Sequence, residues 1–169
     1  MKIEHYITEK EISARLLDLG KQLAREYNNK PLRVLILLKG GMIFASDLIR
    51  HIDLPLQIDC LSVSSYKGTS STGEVTIQTF NFETVSNTHV LLVDDILDTG
   101  LTLKTIADKI SEQTPLSVKT CVLLNKLVPY KRDIEADYKA FDIKNEFVVG
   151  YGLDYNEQYR NLPYIGILK

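Results

Sequence analysis

Hydrophobic and polar positions follow two alternating patterns along the chain, and together they predict strands separated by helices. Short apolar runs bounded by turn residues predict buried strands at 34–38, 56–64, 90–93, 118–124, 147–151 and 164–168. Helices are predicted from a capping box at 8–11 to about 28, from 41 to about 51, and from 101 to about 113. A weak alternation at 75–82 is compatible with a returning hairpin strand. Strands that alternate with helices are typical of a parallel α/β sheet.

Length and composition restrict the class of protein. At 169 residues, without repeats or linkers, the chain is expected to form one domain over 1–169 with a sizeable core. A net charge of −2 provides no general attraction for nucleic acid. The first residues lack a signal peptide's apolar segment, and no run approaches the roughly 18 apolar residues of a membrane span. Cys60 and Cys121 both lie in apolar runs, so we expect buried, reduced thiols in a cytoplasmic protein without membrane or nucleic-acid partners.

The segment 90–102 carries the most specific chemical signal. Its apolar run is followed by three carboxylates and a Thr-Gly-x-Thr stretch, namely Asp94, Asp95, Asp98, Thr99, Gly100, Leu101 and Thr102. Residues at the carboxyl end of a parallel strand lie where open α/β sheets bind ligands. Backbone amides and the positive dipole end of the next helix suit a phosphate. Carboxylates beside it would repel an anion unless hydroxyls or a cation intervene, so the pattern favours a ribose phosphate with Mg²⁺.

This motif resembles the 5-phosphoribosyl-1-diphosphate motif of the type I phosphoribosyltransferases. The resemblance implies that Asp94 and Asp95 hold the ribose hydroxyls and take part in a metal site, while residues 98–102 surround the 5′-phosphate. Many purine-specific members carry Glu where this chain has the shorter Asp94. Two other interpretations stay open: an Asp-rich turn with helix-capping residues, and a phospho-acceptor receiver domain, although the latter does not require Thr-Gly-x-Thr.

Two further segments suit a diphosphate. The turn after the first predicted sheet strand, Lys39-Gly40-Gly41, lets the backbone approach a ligand closely. It resembles the family's pyrophosphate loop, in which the preceding peptide is often strained or cis, although it could also be an ordinary tight turn. The polar loop at 64–74 has the composition of a lid that excludes water. By resemblance Ser65 and Tyr66 would close over the diphosphate; the alternative is a solvated hairpin loop.

The region 147–162 resembles the carboxyl region of hypoxanthine-guanine phosphoribosyltransferases. That resemblance implies roles in binding purine, diphosphate and a second metal ion for Lys126, Phe147, Val148, Asp154 and Arg160. Lys126 would donate to the purine 6-oxygen, Phe147 would stack on the ring, and the Val148 backbone would meet its pyrimidine edge. Asp154 would bind metal with the diphosphate, which Arg160 would also reach. An ammonium group has three donors and no acceptor, so it suits an oxo group and opposes a 6-amino group.

Asp98 is the candidate catalytic residue. When purine N9 attacks the anomeric carbon the ring must lose a proton, and a carboxylate within reach of N7 can accept it. The same side chain could instead cap the following helix, or serve both purposes.

The resemblance implies the type I phosphoribosyltransferase fold, an α/β fold with a central, mostly parallel sheet flanked by helices and a small hood formed by the termini. The implied activity is Mg²⁺-dependent purine salvage, in which 5-phosphoribosyl-1-diphosphate and hypoxanthine or guanine give the nucleoside monophosphate and pyrophosphate. A xanthine-preferring enzyme and a non-catalytic regulator that senses the same ligand stay open as alternatives. Assembly as a homodimer or homotetramer is also implied.

Overall fold

The computed structural model describes residues 2–65, 75–77 and 80–169. The strands in these ranges are β1 (Ile3–Ile7), β2 (Leu32–Leu38), β3 (Leu56–Ser65), β4 (Val75–Ile77), β5 (His89–Leu97), β6 (Ser117–Lys126), β7 (Tyr138–Ile143), β8 (Val148–Val149) and β9 (Ile165–Leu168). The helices are α1 (Glu9–Glu26), α2 (Gly41–Ile49) and α3 (Leu101–Ser111), with a short 3-10 helix at Phe82–Val85.

Six strands form the central sheet, in the order β4-β3-β2-β5-β6-β7. Five of them are parallel, and β4 pairs antiparallel with β3 at one edge. The apolar run 90–93 is completely buried in β5, which pairs with β2 and β6. This arrangement confirms the predicted α/β class and places the residues that follow β2 and β5 at one edge of the sheet.

Helices cover both faces of the sheet. On one face α1 and α2 bury apolar residues such as Leu16 and Phe44 against the strands, while α3 buries Ile106 on the other. The predicted capping box begins α1, since the Thr8 hydroxyl accepts from the Glu11 amide and the Glu11 carboxylate accepts from the Thr8 amide. No helix in the described ranges is both long and apolar enough to cross a bilayer.

A second, smaller sheet joins the two ends of the chain. It is antiparallel, with the order β1-β9-β8, and pairs Ile3 with Leu168 and Val148 with Ile167. The predicted hood formed by the termini is therefore confirmed.

Some elements differ from the sequence-based predictions. The strands β1 and β7 were missed because they are short and mix buried with exposed positions irregularly. The predicted strand at 147–151 comprises only Val148–Val149, because Gly150 adopts a positive φ of 99°. Cys60 is exposed rather than buried. It shares its face of β3 with Ile58, which is 47% exposed, so the helical layer does not cover this part of the sheet.

Candidate active site

A cavity of about 460 Å³ opens where β2 and β5 end. It is lined by Leu37, Leu38, Gly40, Val63, Asp94, Asp95, Ile96, Leu97, Asp98, Thr99, Gly100, Thr102, Leu103, Asp154 and Arg160. Its volume is in the usual range for small-molecule sites. Four of these side chains are carboxylates and one is a guanidinium, so the lining favours cations. An anionic ligand would need additional positive charge to bind here.

Asp94 and Asp95 form a partly buried pair of adjacent acids at the end of β5. The Asp95 amide donates to Oδ1 of Asp94 over 3.0 Å. Burial, with repulsion from Asp95, raises the pKa of Asp94 well above its usual value. Burial also raises the pKa of Asp95, against the opposing effect of the Arg160 guanidinium. Because both pKa values are raised, ionisation of this pair disfavours the folded state, which is more typical of a functional site than of a structural one.

The acid pair is suited to a divalent cation. Within residues 2–65, 75–77 and 80–169, no three His, Cys, Asp or Glu side chains converge into a metal-holding cluster. Mg²⁺ does not need such a cage, because it is usually held by one or two carboxylates together with water and substrate oxygens. A dication beside Asp94 and Asp95 would also offset the two effects that raise the pKa of Asp94, namely burial of its charge and repulsion from Asp95. These residues therefore fit Mg²⁺ bound jointly with a ligand.

The Gly40-Gly41 turn packs directly against the acid pair. A Cβ atom at Gly40 would overlap the Asp95 carboxylate, and one at Gly41 would lie 3.1 Å from the Val93 carbonyl oxygen. The peptide between Leu38 and Lys39 is cis, as the family resemblance implies. Only glycine at position 40 leaves room for this contact between the turn and Asp95.

The Thr99–Thr102 stretch begins α3 beside the cavity. Gly100 is the N-cap residue, with a φ of 84°, so the N-cap position has no side chain that could bond the first amides of the helix. The interpretation of Asp98 as the helix cap is therefore wrong. The Thr99 hydroxyl accepts only a long hydrogen bond, 3.4 Å, from the Leu101 amide. A helix start of this kind offers backbone N–H groups to a phosphate.

Asp98 instead pairs with Lys126, the last residue of β6. The Lys126 Nζ atom donates to Asp98 Oδ2 over 2.9 Å. The lysine side chain is 12% exposed, whereas that of Asp98 is 46% exposed and lines the cavity. The candidate purine donor and the candidate proton acceptor are thus in direct contact at the cavity edge.

Arg132 is a residue of this region that sequence reasoning missed. Its Nε atom donates to the Asp98 carbonyl oxygen over 2.6 Å, and its Nη1 atom donates to Asn125 Oδ1 over 2.9 Å. Its Nη2 atom donates to the Lys126 carbonyl oxygen. Arg132 lies in the irregular segment 127–137, where no hydrophobic period distinguishes a buried arginine from the neighbouring exposed charges.

The hood contributes Asp154 and Arg160 to the cavity. Arg160 Nη2 lies 2.9 Å from Asp154 Oδ1, and Arg160 Nη1 donates to the Gly152 carbonyl oxygen over 2.8 Å. A Cβ atom at Gly152 would overlap the Gly40 carbonyl oxygen. The hood turn and the Gly40 turn therefore touch, which brings the predicted second metal ligand and diphosphate cation to the cavity.

Glu157 contacts both cations predicted to bind diphosphate. Its Oε2 atom lies 2.8 Å from Lys39 Nζ, and its Oε1 atom lies 3.2 Å from Arg160 Nη2. The Lys39 hydrogen bond and the Arg160 charge lower the pKa of Glu157. The Lys39 and Glu157 side chains are 67% and 65% exposed, so their ion pair is weak. Lys39 is not among the residues that line the cavity.

The remaining predicted residues lie outside the cavity lining or outside the described residues. Phe147 is 53% exposed and meets Tyr155 edge-on, with ring centroids 5.8 Å apart. Val148 is buried in β8. Ser65 ends β3, and Tyr66 lies outside the described residues, as does the rest of the predicted lid at 66–74.

Comparison with known proteins supports the same identification. Residues 6–156 match the phosphoribosyl transferase domain. The chain is 48% identical to a hypoxanthine-guanine phosphoribosyltransferase of Staphylococcus aureus, covering 98% of this chain and 93% of that protein. It is 46% identical to the enzyme of the same name from Streptococcus pneumoniae, covering 96% and 91%. A crystal structure of an S. aureus hypoxanthine phosphoribosyltransferase superposes with a TM-score of 0.92 at 48% identity, covering 98% of this chain and 91% of the other. Together with the acid pair, the glycine turn and the helix start at one sheet edge, these similarities show that the chain belongs to the phosphoribosyltransferase family.

Proposed function

We propose that this phosphoribosyltransferase transfers the 5-phosphoribosyl group from 5-phosphoribosyl-1-diphosphate to N9 of hypoxanthine, and of guanine, releasing pyrophosphate. The contact between Lys126 and Asp98 carries the proposal. O6 and N7 of a 6-oxopurine lie side by side on one edge of the ring. Lys126 can donate to O6, and Asp98 can accept the N7 proton. Because these two side chains are already in contact, their spacing matches that edge of the ring.

Lys126 would distinguish oxopurines from adenine. Its ammonium group donates to an oxo group but would face a 6-amino group donor to donor, and its low exposure leaves water little opportunity to relieve the mismatch. Stacking on Phe147 and contact with the Val148 backbone would add affinity without much discrimination.

Asp98 would act as the proton acceptor. As the N9–C1′ bond forms and the bond from C1′ to the diphosphate oxygen breaks, the purine becomes more acidic, and Asp98 would take the N7 proton. Because the Asp98 carboxylate is partly exposed to the cavity and held by Lys126, it can reach the ring while keeping a fixed orientation.

The leaving diphosphate would be bound by the Lys39 side chain, the amides of Gly40 and Gly41, and Arg160, with Ser65 and Tyr66 closing over it. Asp94 and Asp95 would hold Mg²⁺ together with the ribose hydroxyls, and Asp154 would hold a second ion with the diphosphate. The cavity lining carries four carboxylates and a single guanidinium, so it lacks positive charge. Mg²⁺ would supply that charge when bound. A single domain over 1–169 and assembly as a homodimer or homotetramer stay predictions.

A spectrophotometric screen of hypoxanthine, guanine, xanthine and adenine tests this function. With 5-phosphoribosyl-1-diphosphate and Mg²⁺, we expect turnover of hypoxanthine and guanine and a kcat/KM for adenine lower by ~10⁴. A preference for xanthine would favour the alternative that the protein is a xanthine-preferring phosphoribosyltransferase. Comparable turnover of adenine would contradict the role of Lys126.

Replacing Lys126 with alanine should raise the KM for hypoxanthine by about 10–100-fold, the range expected for a lost hydrogen bond to a charged group. The KM for 5-phosphoribosyl-1-diphosphate should not change, because Lys126 is not part of the phosphate or diphosphate site. Steady-state kinetics with each substrate varied in turn measure both constants. An unchanged purine KM would remove Lys126 from the base site.

Replacing Glu157 with glutamine should lower the KM for 5-phosphoribosyl-1-diphosphate. Glu157 holds Lys39 and Arg160, so the diphosphate must replace its carboxylate at both cations. Because both Lys39 and Glu157 are mostly exposed, their ion pair is weak, which limits the decrease to about fivefold. The matched control is Asp108→Asn, which breaks the exposed pair with Lys104 on α3 and should leave this KM unchanged. An increase in KM for Glu157→Gln would mean that Glu157 assists substrate binding.

A further inference from the structure

Arg132 connects the ends of two neighbouring strands. The parallel pairing of β5 with β6 ends at Leu97 and Asn125. The next residues along the chain are Asp98, directly after β5, and Lys126, the last residue of β6. The Arg132 guanidinium donates to both of their carbonyl oxygens. The Arg132 side chain thus links the two strands one residue beyond their last backbone pairing. That residue is the one that carries the candidate base-site side chain at each strand end.

The surroundings of Arg132 fix its orientation. Its third bond goes to Asn125 Oδ1, and the Asn125 amide in turn donates to Asp142 Oδ1 over 2.6 Å. The Arg132 side chain is 4% exposed, and its ion-pair partner Glu135 is distant, at 3.6 Å, and 73% exposed. A guanidinium presents its donors in a rigid plane, so three acceptors in fixed directions hold it more firmly than they would hold a lysine.

The desolvation cost of a buried cation offsets much of what its hydrogen bonds contribute, so stability alone does not explain a buried guanidinium here. Its position is better explained by geometry. The Lys126–Asp98 contact can match O6 and N7 of one purine only if the backbones that carry the two side chains keep their relative position. Errors of about 1 Å in such positions can cost ~10²-fold in rate.

We propose that Arg132 is a positioning residue for oxopurine recognition: it fixes the backbones of Asp98 and Lys126 so that the proton acceptor and the oxo-group donor stay aligned. This inference rests on the proposed function, because it assumes that Lys126 and Asp98 meet the purine.

The variant Arg132→Met tests the role. Methionine keeps an unbranched stem beneath the start of α3, where Arg132 Cδ lies 3.7 Å from the position of a Cβ at Gly100. It loses all three donors. We expect hypoxanthine kcat/KM to fall about 10–100-fold, with a higher purine KM, while the KM for 5-phosphoribosyl-1-diphosphate stays within about twofold. Arg132→Lys, which keeps the charge without the planar fork, should change the same constants in the same direction and is decisive if the methionine variant does not fold.

Arg33→Met is the matched structural control. Arg33 is also a poorly exposed arginine, paired with Asp59 near the start of β2, away from the strand ends that form the cavity. Thermal unfolding measures the stability of each variant, and Arg33→Met should leave both KM values unchanged. A loss of folded protein alone lowers the apparent kcat and moves neither KM. Unchanged purine KM in folded Arg132→Met or Arg132→Lys, or an equal rise in both KM values, would overturn the inference.

A double-mutant cycle separates this inference from the proposed function. In a Lys126→Ala background, Arg132→Met should add little to the purine KM but should still lower kcat through Asp98. If Lys126→Ala itself leaves the purine KM unchanged, the proposed base site fails. If Lys126→Ala raises it and the Arg132 variants do not, only the positioning role of Arg132 fails.

Discussion

Replacing Asp98 with asparagine is expected to lower kcat at least tenfold, towards the ~10²–10⁴-fold contribution of general acid–base catalysis. Asparagine keeps the size of the side chain, and its carbonyl oxygen can still accept from Lys126. What it loses is the ability to accept the purine N7 proton. The KM for 5-phosphoribosyl-1-diphosphate should change little, because the backbone amides of the Thr99–Thr102 stretch are retained. Single-turnover kinetics with hypoxanthine measure the chemical step directly, without product release.

Asp108→Asn is again a suitable control for Asp98→Asn. It also removes one carboxylate from an ion pair with a lysine, but on the exposed side of α3. Since α3 is not capped by Asp98, the Asp98 substitution should not destabilise the helix itself. Thermal unfolding of both variants measures the additional cost of removing the partner of the poorly exposed Lys126. Turnover of Asp98→Asn close to the wild-type rate at neutral pH would exclude Asp98 as the proton acceptor.

The carboxyl edge of β5 could be predicted from sequence because local rules determine it. Four buried apolar residues followed by two carboxylates fit only one place in an α/β sheet, the carboxyl end of a buried strand. The glycine at position 100 marks the start of the next helix. The same holds for the Gly40 turn, where the sequence predicts a close backbone approach. That the approaching group is the Asp95 carboxylate depends on the packing of β2 beside β5, which the sequence pattern does not contain.

Contacts between distant segments could not be predicted. Lys126 and Asp98 are 28 positions apart and meet because β5 and β6 are neighbours, whereas the sequence indicates only that each follows a strand. Arg132 belongs to no helix or strand, so neither a period nor a cap distinguishes it. The pairing of Glu157 with Lys39 depends on the hood folding over the glycine turn. In each case tertiary packing, rather than local propensity, decides the partner.

Removing divalent cations is expected to lower the turnover rate by more than ~10²-fold. Of the charged side chains that line the cavity, four are carboxylates and one is a guanidinium, and the substrate itself carries a phosphate and a diphosphate. At an effective dielectric constant of 20, two like unit charges 4 Å apart repel by about 4 kcal/mol. Arg160 and Lys39 together cannot offset several such interactions, because four carboxylates line the same cavity. Turnover in buffers treated to remove metal, with EDTA added and Mg²⁺ then returned in steps, measures the requirement.

Two controls make the metal test specific. EDTA already saturated with Mg²⁺ should leave turnover unchanged, which separates chelation from any direct effect of EDTA on the protein. Calorimetric titration with 5-phosphoribosyl-1-diphosphate provides a readout independent of chemistry, and binding should weaken strongly without Mg²⁺ because Asp94 and Asp95 then face the ligand as uncompensated acids. Full turnover in EDTA would mean that the chain's own cations neutralise the diphosphate, and the proposed role of the acid pair as a metal site would be wrong.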